Sequence, residues 1–376
     1  PARDSSASVD ASGHHRPLLQ AKSVKRSRDT NALISIGIVG LIILFGAPQT
    51  LDLFGIISLT TAVSLAILAL SLGLIWGFGG ILCFGQTAFF GIGAYAYAIA
   101  ALNFGGSTGA IVLAIAVAGA AAAVLGYFMF YGRLSDVYLA VITLTVTLIL
   151  YSVIRRTSGP EYKIGIAKIG GFNGINVPPI NYPWDANQFL FPEEVFYVAM
   201  VSLLGAYFLC VWLTKSHFGR VSVSIRENEI RSELLGYDIR LYKLGMFTVG
   251  GAIAGLAGVM FANSIGRITP DVYNLYNAAL AIIWVIIGGR GTLIGPILGA
   301  LVLFYLTSFL GRQAVVNINF FLGLVLIIFV LVVPKGIVPS LVQLWDRRRS
   351  RRMTARSAKR IRRRGRSRVK EAAVEE

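Results

Sequence analysis

Hydrophobic positions in this chain fall into long, nearly uninterrupted runs separated by short polar joints. Ten such runs are readable: Ala32–Ala47, Leu51–Ile75, Thr87–Phe104, Gly109–Tyr131, Asp136–Ile154, Glu194–Thr214, Leu241–Asn263, Ala278–Gly288, Thr292–Gly311 and Val316–Pro334. A straight helical span of a bilayer needs about 20 apolar residues, and runs near that length read as membrane helices. The first run and Ala278–Gly288 fall short of it. Short, glycine-interrupted segments of this kind are expected to be half-helices or re-entrant turns, so the pattern predicts eight to ten spans. The fold class it predicts is all-α, a polytopic transmembrane helical bundle.

Composition strengthens that reading. Of 376 residues 55% are hydrophobic and only 14% charged, against about 25% charged in a soluble domain. A soluble enzyme, a nucleic-acid-binding domain, a disulfide scaffold and a disordered chain are all disfavoured. The net charge of +17 is concentrated at the ends: residues 346–376 carry +10 and residues 1–30 carry +3. This divides the chain into a basic N-terminal arm (1–30), a membrane domain (31–345) and a basic tail (346–376). The tail is expected to be a disordered topology signal, and no nucleic-acid partner is expected. An even number of spans with basic residues at both ends places both termini in the cytoplasm by the positive-inside rule. The stretch before Asn31 is polar and basic, so no secretory leader is expected there.

That arrangement puts the loop 215–240 in the cytoplasm and the segment 155–193 outside. The loop region from Lys215 to Lys243 holds six Lys/Arg and the outer segment four, a modest bias in the expected direction. The outer segment carries Gly-Gly-Phe-Asn-Gly, Val-Pro-Pro-Ile and Tyr-Pro-Trp, turn signals without helical periodicity. It is expected to be an ordered cap rather than a separate domain.

Covalent chemistry finds no foothold. There is no G-x-x-x-x-G-K-[ST] loop, no H-E-x-x-H and no C-x-x-C, and the only histidines are His14, His15 and His217. Cys83 and Cys210 sit in or beside apolar runs without metal-ligand spacing and read as small buried hydrophobes. No catalytic residue, cofactor or metal is expected. Between Leu33 and Ile154 the only charges are Asp52, Arg133 and Asp136, all near run ends. Proton- or ion-coupled transport normally needs buried ionisable groups, so an ion- or proton-coupled secondary carrier stands only as the alternative reading.

Two features remain. In the loop Lys215–Lys243, Ile225, Ile230, Leu234 and Leu235 recur at near-helical spacing. Arg226, Glu229 and Glu233 lie on other faces, and Gly236 is placed to end a helix. The pattern predicts a short amphipathic helix with its charges outward. It leaves open whether this is a solvated loop helix or a docking helix for another subunit. The second feature is a pair of glycine-rich breaks, Gly77–Gly85 and Gly288–Gly291, at comparable places in the two halves. Paired breaks point to a translocation path, with Gln86, Thr87 and Thr292 as candidate lining residues. Helix packing through small residues, as in Gly251-x-x-x-Gly255 and Gly295-x-x-x-Gly299, is the competing reading of most of these glycines. Arg290, the one cation of the second break, is expected at the cytoplasmic boundary.

The loop Ser-Ile-Arg-Glu-Asn-Glu-Ile-Arg-Ser-Glu-Leu-Leu-Gly-Tyr-Asp, the later Gly-Gly-Ala-Ile-Ala-Gly-Leu-Ala-Gly, the stretch 72–95 and Gly-Gly-Arg-Gly-Thr-Leu-Ile-Gly-Pro-Ile-Leu-Gly-Ala at 288–300 occur in a specific order. In that combination, over about residues 50–340, the chain resembles the M-type membrane permeases of branched-chain amino-acid ABC importers and the similar urea permeases. The resemblance implies a translocation path for branched-chain amino acids or a related small polar solute such as urea. It implies a second permease subunit, two cytoplasmic ATPase subunits, an extracytoplasmic substrate-binding protein and the lipid of a bacterial inner membrane as partners. It also implies that the loop is the helix coupling the permease to its ATPase. Carried over by position, that helix comprises Arg226, Glu227, Glu229, Arg231, Glu233 and Gly236. The Glu-Ala-Ala wording common in such helices is absent, Glu229 and Glu233 standing in its place.

Overall fold

A computed structural model describes residues 42–311 apart from 160 and 184, a short stretch at 336–340, and isolated positions 37, 40 and 323. Residues 42–50 are helical and belong to a compact unit ending at Asp52. Apart from those isolated positions, the rest of the first apolar run, the run Val316–Pro334 and both basic ends lie outside the described residues. A second unit begins at Leu53 and holds the helical bundle.

Each apolar run described in that unit becomes a helix: α1 (Leu53–Gly77), α2 (Gln86–Phe104), α3 (Ser107–Tyr131), α4 (Asp136–Arg156), α5 (Pro192–Lys215), α8 (Ile239–Ile265), α9 (Leu275–Gly288) and α10 (Ile294–Gly311). The loop before α8 holds two more, α6 (His217–Glu227) and α7 (Glu229–Leu234). All but α6, α7 and α9 are long and apolar enough to cross a membrane, which makes seven such helices among the described residues. At 14 residues, α9 reaches only about 21 Å and stops short of a ~30 Å core. The expected short segment is real.

α8 is the central helix, packed against α1, α2 and α3. Close approach is possible because the facing residues are small. A side chain at Gly251 would strike Ala122, one at Gly255 would strike Ala118, and one at Gly258 would strike the Phe90 carbonyl. In α10, Gly299 meets the Trp284 carbonyl of α9 in the same way, and Gly295 meets Gly288, so α9 and α10 form a tight antiparallel hairpin. Most of the glycine repeats are therefore packing surfaces, with van der Waals contact replacing a hydrophobic drive that lipid does not supply. Aromatic rings fill what remains, with Phe89 and Phe130 edge-on to Phe247 at 5.4 and 5.7 Å. Several buried hydroxyls are satisfied within their own helices, Thr60 donating to the Ile56 carbonyl and Thr147 to the Thr143 carbonyl.

The lower end of the bundle is the one that bears α6 and α7. At the upper end the segment between α4 and α5 forms the expected cap, built of two-residue strands and one longer one. β1 (Lys163–Ile164) pairs with β2 (Ala167–Lys168), and β4 (Asn181–Tyr182) with β5 (Asp185–Phe189). β3 (Ile175–Asn176) pairs with β6 (Arg267–Ile268), which comes after α8 in the chain. Side chains fix the cap to the helix tops: Tyr97 donates to the Pro178 carbonyl at 3.3 Å, and Asn103 to the Ile164 carbonyl at 2.9 Å.

Candidate functional site

The loop predicted as one helix from Arg226 to Gly236 is two. Asn228 adopts an extended conformation (φ −160°, ψ 104°) between α6 and α7, and its side-chain oxygen accepts the Arg231 amide at 2.9 Å. It is an N-cap inside the expected helix, a position that asparagine favours. The far end matches expectation. Gly236 takes φ +88°, its amide donating to the Glu233 carbonyl and the Tyr237 amide to the Ser232 carbonyl. Two reversed bonds closed by a left-handed residue end a helix in the Schellman manner, and glycine adopts that φ without steric cost.

The break corrects the expected orientation. Ile225, on α6, is buried, but Ile230, Leu234 and Leu235 are 73%, 83% and 67% exposed. The inner face of α7 belongs to Ser232, whose hydroxyl lies 3.1 Å from that of Ser224. Glu229 turns to Lys243 of α8 at 2.5 Å. Restarting the helix at Asn228 shifts its phase, so the charges do not monopolise the outer face. The exposed surface of α7 sets Ile230 and Leu234 among Glu229, Arg231 and Glu233.

α6 is anchored where α7 is not. Gly219, Val221, Ser222 and Ile225 are buried, and Phe218 stacks on Tyr242 at 5.2 Å. From the last turn of α6, the Arg226 guanidinium donates to the carbonyl of Gly77, at the foot of α1. It also pairs with Glu227, and that hydrogen bond, reinforced by the Arg226 charge, holds the Glu227 carboxyl below the ordinary range. Arg226 lies so close to the first glycine break that a Cβ at Gly80 would sit 2.7 Å from its Cγ.

The two breaks also meet each other. A Cβ at Gly77 would lie 3.1 Å from the Gly291 nitrogen, and Arg290 stacks over Trp76 at 4.9 Å. Burial, together with the neighbouring Arg226 charge, lowers the pKa of Arg290. After Gly77 the chain turns back, because Gln86 donates to the Ser71 hydroxyl at 2.9 Å and to the Gly250 carbonyl at 3.1 Å. The first break is therefore re-entrant, and the α9–α10 hairpin carries the second break to its foot.

The three candidate lining residues divide. Thr292 donates to the Gly289 carbonyl at 3.0 Å and accepts the Gly295 amide at 3.2 Å, which closes the turn into α10. Gln86 is buried, with its Oε1 unpartnered among the described residues, and the buried Thr87 hydroxyl is unpartnered as well. Tyr95, further along α2, is buried with its hydroxyl likewise unpartnered, and its ring stacks on Tyr273 at 6.0 Å. Sequence reasoning passed over Tyr95 because one tyrosine in an apolar run carries no signal. It also passed over Asn228, although an Asn before a Glu is a helix-start signal. No group of three potential metal ligands occurs among the described residues.

Residues 55–333 match the family model described as the branched-chain amino acid transport system / permease component. Among curated proteins, the chain is 29% identical over 300 residues to the high-affinity branched-chain amino acid transport system permease protein LivM of Escherichia coli K12, covering 73% of this chain and 67% of that protein. It is 26% identical over 198 residues to the probable LivM of Methanocaldococcus jannaschii (51% and 54%). It is also 26% identical over 210 residues to the ribose import permease protein RbsC of Escherichia coli K12 (53% and 60%). No solved structure matches.

Proposed function

We propose a role for this chain from one established premise: it belongs to the permease components of branched-chain amino acid transport systems. It is a multi-pass inner-membrane permease subunit of an ABC importer and performs no covalent chemistry. That sets aside the secondary-carrier alternative. Its substrates are branched-chain amino acids, as the names of its LivM relatives suggest. Ribose, named for a more partially matching relative, and urea are the substrates the test must exclude. It works beside a second permease subunit, with two cytoplasmic ATPases and an extracytoplasmic binding protein.

In this reading α6 and α7 are the coupling element. The observation that carries it is the hydrogen bond from Arg226 to the Gly77 carbonyl, at the point where the two glycine breaks touch. The exposed surface of α7 seats in an ATPase groove. Movement of that groove displaces α6, and Arg226 passes the displacement to α1 and to the α9–α10 hairpin together. Packed helices shift as rigid bodies, so a small movement at one joint becomes a change in access to the path. Gln86, Thr87 and Tyr95, directly above that joint, are the polar groups positioned to meet a solute; Thr292 shapes the turn below them.

The test is uptake of labelled leucine, urea and ribose by a strain lacking this chain, with and without its restoration. Leucine uptake should fall and recover while the other two stay unchanged. Leucine uptake unaffected by the deletion would refute the substrate assignment.

A further inference from the structure

At the lower end, beside the coupling element, a cleft of about 210 Å³ opens between the end of α3, the start of α8 and α7. Five charged side chains line it: Arg133, Arg240, Lys243, Glu229 and Glu233. Two of these satisfy each other, because Lys243 is held by Glu229 at 2.5 Å and by Asp136 at 3.7 Å. Arg133, Arg240 and Glu233 make no ion pair among the described residues. The cleft thus presents two guanidinium groups and one carboxylate that the described residues do not pair.

Two further observations fix what they face. Arg133 has φ +53°, and it is the only non-glycine residue with positive φ among the described residues. That conformation closes α3 in the same manner as Gly236 closes α7, the Arg133 amide donating to the Phe130 carbonyl and the Leu134 amide to the Met129 carbonyl. Here it holds an arginine at the mouth of the cleft directly after α3. The second observation is the surface beside it. The last turns of α3 expose Tyr127 (52%), Phe128 (69%) and Tyr131 (38%), with Tyr127 stacked on Tyr131 at 4.7 Å and Arg240 over the Tyr131 ring at 5.8 Å. Exposed aromatics at the end of a membrane helix sit at headgroup depth. The cleft therefore opens where the phosphates of one leaflet lie, beside an uncovered apolar ridge.

We propose that this cleft binds the headgroup of a zwitterionic phospholipid bearing a primary ammonium, phosphatidylethanolamine. Arg133 and Arg240 donate to the phosphodiester oxygens, the planar-fork geometry that guanidinium offers to phosphate. Glu233 accepts from the ammonium, and the acyl chains run along the ridge of Tyr127 and Phe128. A phosphatidylglycerol headgroup brings hydroxyls but no cation to Glu233, and a choline headgroup brings no N–H to it. Because Glu233 belongs to α7, the bound lipid braces the coupling element against α3. This lipid site goes beyond the transport reading and is tested without any transport measurement.

The experiment measures lipid retention by native mass spectrometry on the full chain, stripped of lipid and exchanged against phosphatidylethanolamine, phosphatidylcholine and phosphatidylglycerol of identical acyl chains. Phosphatidylethanolamine should be retained about tenfold more strongly than either of the others, charge-assisted hydrogen bonds being the stronger kind. Arg133→Gly with Arg240→Gln should weaken all three lipids together. Glycine at 133 suits the positive φ, so this variant keeps the fold, and an unchanged thermal melt verifies that. Glu233→Gln should lower phosphatidylethanolamine to the level of phosphatidylcholine and leave phosphatidylglycerol unchanged or raised. Equal retention of the three lipids by the unaltered chain would overturn the proposal, as would a Glu233→Gln variant that keeps the preference. ATPase binding that is lost in the Arg133→Gly, Arg240→Gln variant, with lipid retention unchanged in that variant, would assign the cleft to the protein partner and overturn the lipid assignment.

Discussion

α6 and α7 are neighbours of similar polarity in one loop, yet the structure treats them oppositely. α6 buries one face on α8 and ends in an arginine bonded to the foot of α1, whereas α7 buries Ser232 and turns Ile230, Leu234 and Leu235 outward. A loop meant only to join two spans would bury its aliphatic residues and expose its carboxylates. This one does so in its first half, whereas its second half leaves its aliphatic residues exposed alongside Glu229 and Glu233. One half is an anchor and the other is a face kept open for another molecule.

That division can be broken from either side, and the largest effect is expected on the open face. Ile230→Ser with Leu234→Ser should weaken ATPase co-purification by on the order of 100-fold, about 2.8 kcal/mol of binding. Exposed substitutions usually move stability by no more than about 0.5 kcal/mol, so the melt of the permease alone should not change. Unimpaired co-purification would show that α7 is not the docking face. On the anchored side, Arg226→Met removes a charged hydrogen bond worth about 1.5–3 kcal/mol and leaves the Gly77 carbonyl without its partner. ATPase should still co-purify, but leucine uptake should fall about tenfold, and Arg226→Lys should recover part of it. Loss of co-purification in this variant would mean that α6 itself makes the docking contact. The smallest effect is expected at the junction. Asn228→Ala deletes the cap of α7 at a cost of about 1 kcal/mol, so backbone amides 229–235 should exchange faster while those of α6 do not.

The membrane helices were legible because their signal is a length of apolar sequence, and the bilayer leaves few alternatives to a helix. α1 through α5, α8, α9 and α10 all coincide with runs read from the sequence, and the ordered cap coincides with its turn residues. The helical character of the loop, its outward charges and its end at Gly236 were legible, but the break at Asn228 and the exposure of Ile230, Leu234 and Leu235 were not. Helical periodicity assumes continuous phase, and one asparagine resets it. The translocation candidates fared unevenly for a related reason. A polar residue in an apolar run signals a requirement, but only its partners say which. For Thr292 the partners are backbone groups of its own turn; for Gln86 they are Ser71 and Gly250, with one oxygen left over.

The pairing of β3 with β6 also sets an order of biosynthesis. β3 leaves the ribosome before α5, whereas its partner Arg267–Ile268 comes after α8, so the upper cap cannot close until α8 has been made and inserted. In the nascent chain Ile175 has no strand to lie against, and a non-local pairing of this kind forms late. A chain arrested before Arg267 should therefore carry an unfinished cap open to proteases, and the finished chain a closed one. Cap cleavage reports whether the central helix has reached its place.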